Sequence, residues 1–254
     1  MKRARIIPVL LLKGNGLYKT TKFKKPVYVG EPINAVKIFS EKQVDEIILL
    51  DIDASKNSTP PNTALLEKIA SECFIPLTYG GGIKSVDEMA LLYSLGIEKL
   101  SLNSSLFRQE DMIRDAVTKF GSQSIVASVD LRQNIMGYAA YTHSASKRVG
   151  MSFEKIISYL NSLGIGEILL NSINRDGTQK GYDLKLIQKV ASRTTVPITA
   201  CGGCNSIESL LDALVNGASA AAAGSIFTFK GSRNAVLINY PSQTTLENII
   251  FSVL

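Results

Sequence analysis

Eight short apolar runs punctuate the chain: IIPVLLL (6–12), IILLDID (47–53), PLTYG (76–80), KLSLN (99–103), SIVASVD (124–130), EILLNSI (167–173), PITACGG (197–203) and AAAAGSIF (220–227). Their apolar positions are nearly continuous rather than alternating, which is the pattern of parallel strands buried on both faces. Between them, stretches such as NTALLEKIASEC, SFEKIISYLNSLG and SIESLLDALVNG carry apolar residues at three- and four-residue spacing, as amphipathic helices do. Ser85, Ser152 and Ser206 stand where helices need a cap, and Gly96, Gly121, Gly164 and Gly217 where they stop. Strand and helix alternating through eight units predict an α/β fold, a (β/α)8 TIM barrel. A doubly wound sheet is the runner-up, but it usually opens with a glycine fingerprint, of which GNG after the first run is weak evidence.

The pattern also repeats. A shift of 121 residues carries Glu46-Ile-Ile-Leu onto Glu167-Ile-Leu-Leu, Pro76 onto Pro197, Gly81-Gly82 onto Gly202-Gly203, Ser85 onto Ser206, Gly96 onto Gly217 and Ser104 onto Ser225. A constant offset over about half the chain predicts two half-barrels of four units each. We therefore expect one barrel across residues 1–254, with half-barrels at about 1–120 and 121–240 and a C-terminal helix at 241–254.

Composition narrows the function classes. The 254 residues are 45% hydrophobic, enough for a large core, and no apolar stretch approaches the length of a membrane span. The N-terminal run Ile6 to Leu12 is broken by Pro8 and lacks a small-residue cleavage site, so it is a poor signal peptide. A soluble, cytoplasmic protein without membrane contact is expected. Three cysteines make no disulfide framework, and the Cys201/Cys204 pair lacks the second ligand pair that a zinc site needs. Cys201 falls on Gly80 in the repeat, so CGGC reads as a turn, and neither metal nor cofactor is expected. The net charge of +6 is dispersed, without the aromatic–basic stripe that grips nucleic acid. Its densest clusters, the N-terminal KRAR and KTTKFKK, read either as solvated surface or as a lid attracting an anionic small molecule.

In such a barrel the chemistry sits at the C-terminal ends of the strands. Gly80–Gly82, Asn103, Ser104, Asp130, Ser172, Asp176, Gly177, Gly202, Gly203, Gly224 and Ser225 fall there. Glycine turns feeding helix N-termini leave backbone N–H groups free for phosphate, and the repeat provides two such cradles across one mouth. An elongated substrate with an anion at each end follows; the plainer reading is that the glycines only make tight turns. Asp130 ends an apolar run, as a general acid/base would, or as an acid that pairs with lysine or caps a helix. Asp51 is a candidate partner for Lys13 or for the loop after the first strand. At the opposite ends of the strands stand Arg5, Glu46, Lys99 and Glu167. Pointed inward they form a charged gate on a polar path; pointed outward they form surface salt bridges.

The stretches RIIPVLLLK, LLDIDAS, PLTYGGGI, KLSLNSS, FGSQSIVASVD, GEILLNSINRDGTQKGYD and ITACGGCNS resemble the cyclase subunit of imidazole glycerol phosphate synthase, across nearly the whole length. The resemblance implies a glutaminase docked on the barrel floor, whose ammonia passes the gate Arg5, Glu46, Lys99 and Glu167 and attacks a substrate carrying two phosphates. It implies phosphate contacts at Gly82, Asn103 and Ser104 on one side, and at Asp176, Gly177, Gly203, Gly224 and Ser225 on the other. Lys19 matches a lysine of the mobile loop after the first strand. Of the two aspartates the family uses for acid–base work, one maps onto Asp130 and the other onto Leu11, and Asn174 replaces a further acid. Leucine transfers no proton, so the cyclase chemistry is expected to be impaired. The missing aspartate, the LLLK motif and the tail AVLINYPS (235–242) resemble a second-copy subgroup associated with amidation or acetamidino formation on surface-polysaccharide sugars. The substrate is then an activated sugar; the alternatives are the histidine-pathway cyclase itself and a non-catalytic scaffold that activates the glutaminase.

Overall fold

The computed structural model describes residues 4–230 and 235–251, and no side chains beyond Glu247. Lys2 and Arg3 of the N-terminal basic cluster and residues 252–254 of the expected C-terminal helix lie outside that range. Eight parallel strands close on themselves: β1 (Arg5–Lys13), β2 (Ile47–Asp51), β3 (Leu77–Gly80), β4 (Lys99–Leu102), β5 (Ile125–Asn134), β6 (Glu167–Ser172), β7 (Ile198–Cys201) and β8 (Ala220–Ala223). Closure is made by β8 pairing with β1, with Arg5 beside Ala220 and Ile7 beside Ala222. The helices between them are α1 (Pro32–Glu41), α2 (Thr63–Ser71), α3 (Val86–Ser94), α4 (Glu110–Phe120), α5 (Phe153–Ser162), α6 (Leu184–Ala191), α7 (Ile207–Val215) and α8 (Gln243–Phe251). This is the (β/α)8 barrel expected from the apolar pattern.

Strand polarity explains the two cores. Alternate residues point into the barrel, where Ile7, Val9, Ile48, Val126, Leu169, Ala220 and Ala222 meet. Their neighbours point outward against the helices, with Phe39 and Tyr79 fully covered. Burying one such side chain contributes roughly 1.5–3 kcal/mol. The expected caps operate: Ser85 accepts from the Glu88 amide, and its repeat equivalent Ser206 accepts from Ser209 in a reciprocal capping box. The tail is tied down by Tyr240, which packs on Phe227 and donates to the Ile6 carbonyl at 2.9 Å.

Three features differ from the sequence reading. The last strand stops at Ala223, and Ser225–Thr228 turns into a short helix because Gly224 breaks the run. The stretch KTTKFKK (19–25), read as solvated surface or a lid, falls in a hairpin of Gly16–Thr21 and Lys24–Gly30 beyond β1. Its two-residue turn, Lys22–Phe23, has φ of 53° and 62°, values that favour glycine or asparagine. A second hairpin extends β5 and returns through Gly137–Thr142. Both rise over the C-terminal face of the barrel.

Candidate functional site

At the end where the strands begin, Arg5, Glu46, Lys99 and Glu167 point inward and close a ring. Arg5 bonds Glu46 and, at 3.0 Å, Glu167; Lys99 bonds Glu46 at 2.8 Å and Glu167 at 3.1 Å. The outward-pointing alternative is thus excluded. Charges alternate around the ring, so each carboxylate is shared by two cations. Burial disfavours the charged form of Glu167, yet Arg5 and Lys99 outweigh it and hold that carboxyl below its usual range. Each glutamate also accepts a threonine hydroxyl, Thr78 at 2.6 Å on Glu46 and Thr199 on Glu167. These threonines were missed in the sequence, although the offset that relates Glu46 to Glu167 also relates Thr78 to Thr199.

Above the ring the barrel interior is unevenly polar. The β1, β2 and β8 side is hydrocarbon, whereas β4, β5 and β6 contribute Ser101, Ser128 and Asn171. Among the described residues, Ser101 Oγ and Asn171 Oδ1 inside the barrel, and Tyr79 Oη on its helix-facing side, are buried without a hydrogen-bond partner. Orphaned polar atoms of this kind are uncommon in an interior and suit a place where a small polar molecule passes or sits.

At the C-terminal face a cleft of about 380 Å³ opens. Its walls bring together Leu11, Gly82, Asn103, Ser104, Asp130 and Asp176, and its floor reaches Ser101, Ser128 and Asn171. Asp130, on β5, is 8% exposed and accepts from Asn103 Nδ2 at 3.3 Å. Burial drives its carboxyl up to about 7; the charge of Asp176 adds to the rise and the Asn171 side chain opposes it. Leu11 lines the same cleft and adds nothing but hydrocarbon.

Gly177, Gly203, Gly224 and Ser225 lie across the mouth from Gly82 and Ser104, around a residual space of about 30 Å³ that Lys19 helps to line. That space holds a water or so, not a phosphate. Lys19 is 7% exposed and donates to the Val9 carbonyl at 2.6 Å. Burial lowers its pKa to about 8, against the pull of Asp176. The hairpin carrying Lys19 is pinned down by Asp176: its carbonyl accepts from the Lys22 amide at 2.9 Å, and its carboxylate from Thr20 Oγ1 at 3.2 Å and the Phe23 amide at 3.4 Å. The strained hairpin turn is thereby held. Gly177 is required here, because at φ 65° a Cβ would collide with the Thr20 carbonyl.

Two sequence expectations need correction or refinement. Lys13 pairs with Asp53, at 3.2 Å, and not with Asp51, whose Oδ1 takes the amides of Asp53 and Ala54 at 3.0 Å. Asn174 accepts from the Gln133 amide at 2.8 Å and donates to the Gln133 carbonyl at 3.4 Å. An acid cannot make the second bond, so the asparagine clasps the β5 hairpin to the β6 loop. Among the described residues no group of three His, Cys, Asp or Glu side chains is placed to hold a metal ion, and no helix is long and apolar enough to cross a membrane.

A family model described as Histidine biosynthesis protein matches residues 5–233. The chain is 48% identical, over 249 residues, to the Pseudomonas aeruginosa protein named "Putative imidazole glycerol phosphate synthase subunit hisF2", covering 97% of this chain and 99% of that one. A Leptospira borgpetersenii protein named "Putative imidazole glycerol phosphate synthase subunit HisF" is 44% identical over 250 residues, 97% of this chain and 98% of its own. The imidazole glycerol phosphate synthase subunit HisF of Natranaerobius thermophilus is 35% identical over 248 residues, 97% of this chain and 99% of its own.

Proposed function

The chain belongs to the histidine biosynthesis protein family, among the imidazole glycerol phosphate synthase cyclase subunits, and from that premise we propose that it accepts ammonia from a docked glutaminase and adds it to an anionic substrate that is not the histidine-pathway intermediate. The observation that carries the reading is the pairing of an inward charge ring at one end of the axis with a one-aspartate mouth at the other. The ring of Arg5, Glu46, Lys99 and Glu167 is the gate in this reading. Ser101, on the same strand face two residues above Lys99, is already in the cleft floor, so roughly 7 Å of strand separates gate from cleft. The partner would seat on the floor of the barrel, where Phe74 stands 85% exposed in the loop before β3.

At the mouth, the ammonia lone pair attacks an electrophilic carbon of the substrate, and the new N–C bond makes the nitrogen acidic. Asp130 takes that proton or returns it to a leaving group. A carboxyl near 7 serves both directions at neutral pH. The cradles at Gly82, Asn103 and Ser104, and at Asp176, Gly177, Gly203, Gly224 and Ser225, hold the anionic ends, with Lys19 on the second side. The hairpin over that second cradle must lift before an anion enters it.

Ring closure by the family's two-aspartate route lacks one partner here, because Leu11 stands at its place. The second-copy numbering in the name of the Pseudomonas aeruginosa relative fits a paralogue with another acceptor, and we assign an activated sugar destined for surface polysaccharide. The test supplies the histidine-pathway bisphosphate with ammonium salt. Turnover about 10²–10⁴-fold below that of a two-aspartate synthase is expected. Equal turnover contradicts the assignment and returns the protein to histidine biosynthesis.

A further inference from the structure

The two cradles are not equal in charge. Beside Gly82 and Ser104, the cleft wall carries Lys56, Lys84, Arg108 and His143, drawn from the loops after β2, β3, β4 and β5. Of the carboxylates on those same loops, Asp51 lines the cleft with its Oδ1 on the amides of Asp53 and Ala54, and three others are engaged away from the cations' ends. Glu88 accepts from the Lys84 amide at 2.6 Å, Glu110 holds Arg114 at 2.8 Å and Asp53 holds Lys13. The Lys84 ammonium donates to a carbonyl, that of Ser58 at 2.8 Å. Lys56 and Arg108 have no carboxylate partner among the described residues. Across the mouth, by contrast, Lys19 is offset by Asp176 beside a space of about 30 Å³ lined by no other cation among the described residues.

The backbone beside the charged cradle is also strained. His143, Ser144 and Ala145 are consecutive left-handed residues, with φ of 54°, 51° and 65°, and none is glycine. Ser144 Oγ on the Ile52 carbonyl at 2.5 Å and Ser146 Oγ on the His143 carbonyl at 2.7 Å hold them so. The consequence is that the imidazole lines the cleft. Its Nδ1 lies 2.9 Å from Thr142 Oγ1 and 3.4 Å from Ser104 Oγ, while Nε2 has no partner among the described residues. Strain kept at a ligand-facing wall points to a ligand contact.

We propose that the Gly82–Ser104 cradle is a seat for a diphosphate, gripped by Lys56, Lys84, Arg108 and His143, and that the substrate's less charged end lies toward Lys19. A single phosphate leaves these cations undercompensated, whereas two linked phosphates use three cations and the free imidazole nitrogen together. The inference rests on the reading of the mouth as an anionic-substrate site and specifies which end carries the larger charge.

His143 is the one histidine in the sequence, so its imidazole gives a single resonance in the intact chain. Burial, Lys147 and Arg108 hold its pKa below the usual value, with Lys56 and Lys84 on the neighbouring loops; an anion between them raises it. Inorganic pyrophosphate and inorganic phosphate are titrated against that resonance. Pyrophosphate is expected to bind at least tenfold more tightly and to raise the histidine pKa. Lys56→Gln and Arg108→Gln are expected each to remove most of that preference. Lys68→Gln, the same loss of charge on an exposed face of α2, should leave it within twofold. Equal affinity for the two anions, or a preference untouched by Lys56→Gln and Arg108→Gln, overturns the diphosphate seat alone. If neither anion moves the resonance, the reading of the mouth as an anion site fails with it.

Discussion

Leu11→Asp raises ring-closing turnover of the histidine-pathway bisphosphate, with ammonium as nitrogen donor, by about 10²-fold or more. The substitution is placed where its effect can be read. Leu11 is half-buried, pairs with Leu50 on β2 and Tyr18 on the hairpin, and lines both the main cleft and the Lys19 space. An aspartate there faces the cavity that Asp130 faces, so an acid and a base again flank one substrate. The new carboxyl enters a poorly solvated mouth that already holds Asp130 and Asp176, and its pKa rises for the same reasons as theirs. That shift suits proton transfer near neutrality and costs some stability. Steady-state kinetics with saturating ammonium measure the gain. An unchanged rate means that the pocket has diverged at more than this residue, and the claim that Leu11 alone blocks ring closure falls.

Asp130→Asn has the opposite effect on activity and an uncommon one on stability. Nitrogen transfer in the assembled complex falls by about 10²–10⁴-fold, because the remaining amide neither takes nor gives a proton. Product formation at the parent rate would instead indicate a scaffold. The stability effect follows from the sign of the shift. Burial raises the folded-state pKa of Asp130 to about 7. Below the unfolded value near 3.8 both states are protonated and the residue costs nothing. Between the two values the unfolded chain ionises first, so the native state loses ground steadily as pH rises. Above about 7 the full penalty, on the order of a few kcal/mol, applies. Asn removes it. Thermal unfolding from pH 4 to pH 8 therefore shows the variant gaining on the parent across that interval and holding its lead above it. A lead that is constant with pH rules out a desolvated carboxyl at this position.

The barrel was legible because its strands are buried on both faces, and such strands write themselves as unbroken apolar runs. The caps at Ser85 and Ser206 were legible because their chemistry is local. The hairpin at residues 16–30 was not, because its lysines and exposed Val27 and Tyr28 mask the alternation that places Leu17 and Lys19 inside. Its position over Asp176 is set by contacts 153 and 156 residues away in sequence, which no local window contains. The ring residues Arg5, Glu46, Lys99 and Glu167 were found by type and place, but their threonine partners were not, since a buried hydroxyl has no signature apart from the repeat. The cations Lys56, Lys84 and Arg108 read as dispersed charge, and only the folding of separate loops gathers them into one wall. Asn174 was noticed as a departure from the family pattern, and its clasp on Gln133 became visible only once the β5 hairpin was placed.

The charge ring, the orphaned Ser101 and Asn171 atoms and the cleft above them make one claim, that nitrogen crosses the inside of the barrel and not the solvent. Isotope competition measures this most directly. The chain and the proposed glutaminase partner are supplied with glutamine labelled with 15N at the amide, an excess of unlabelled ammonium, and the small-molecule pool of the source cells, and new nitrogenous products are weighed by mass spectrometry. A product enriched in 15N far beyond the bulk ammonium ratio is the predicted result. A product whose nitrogen matches the bulk ratio, with the label found only as free ammonia, contradicts the account.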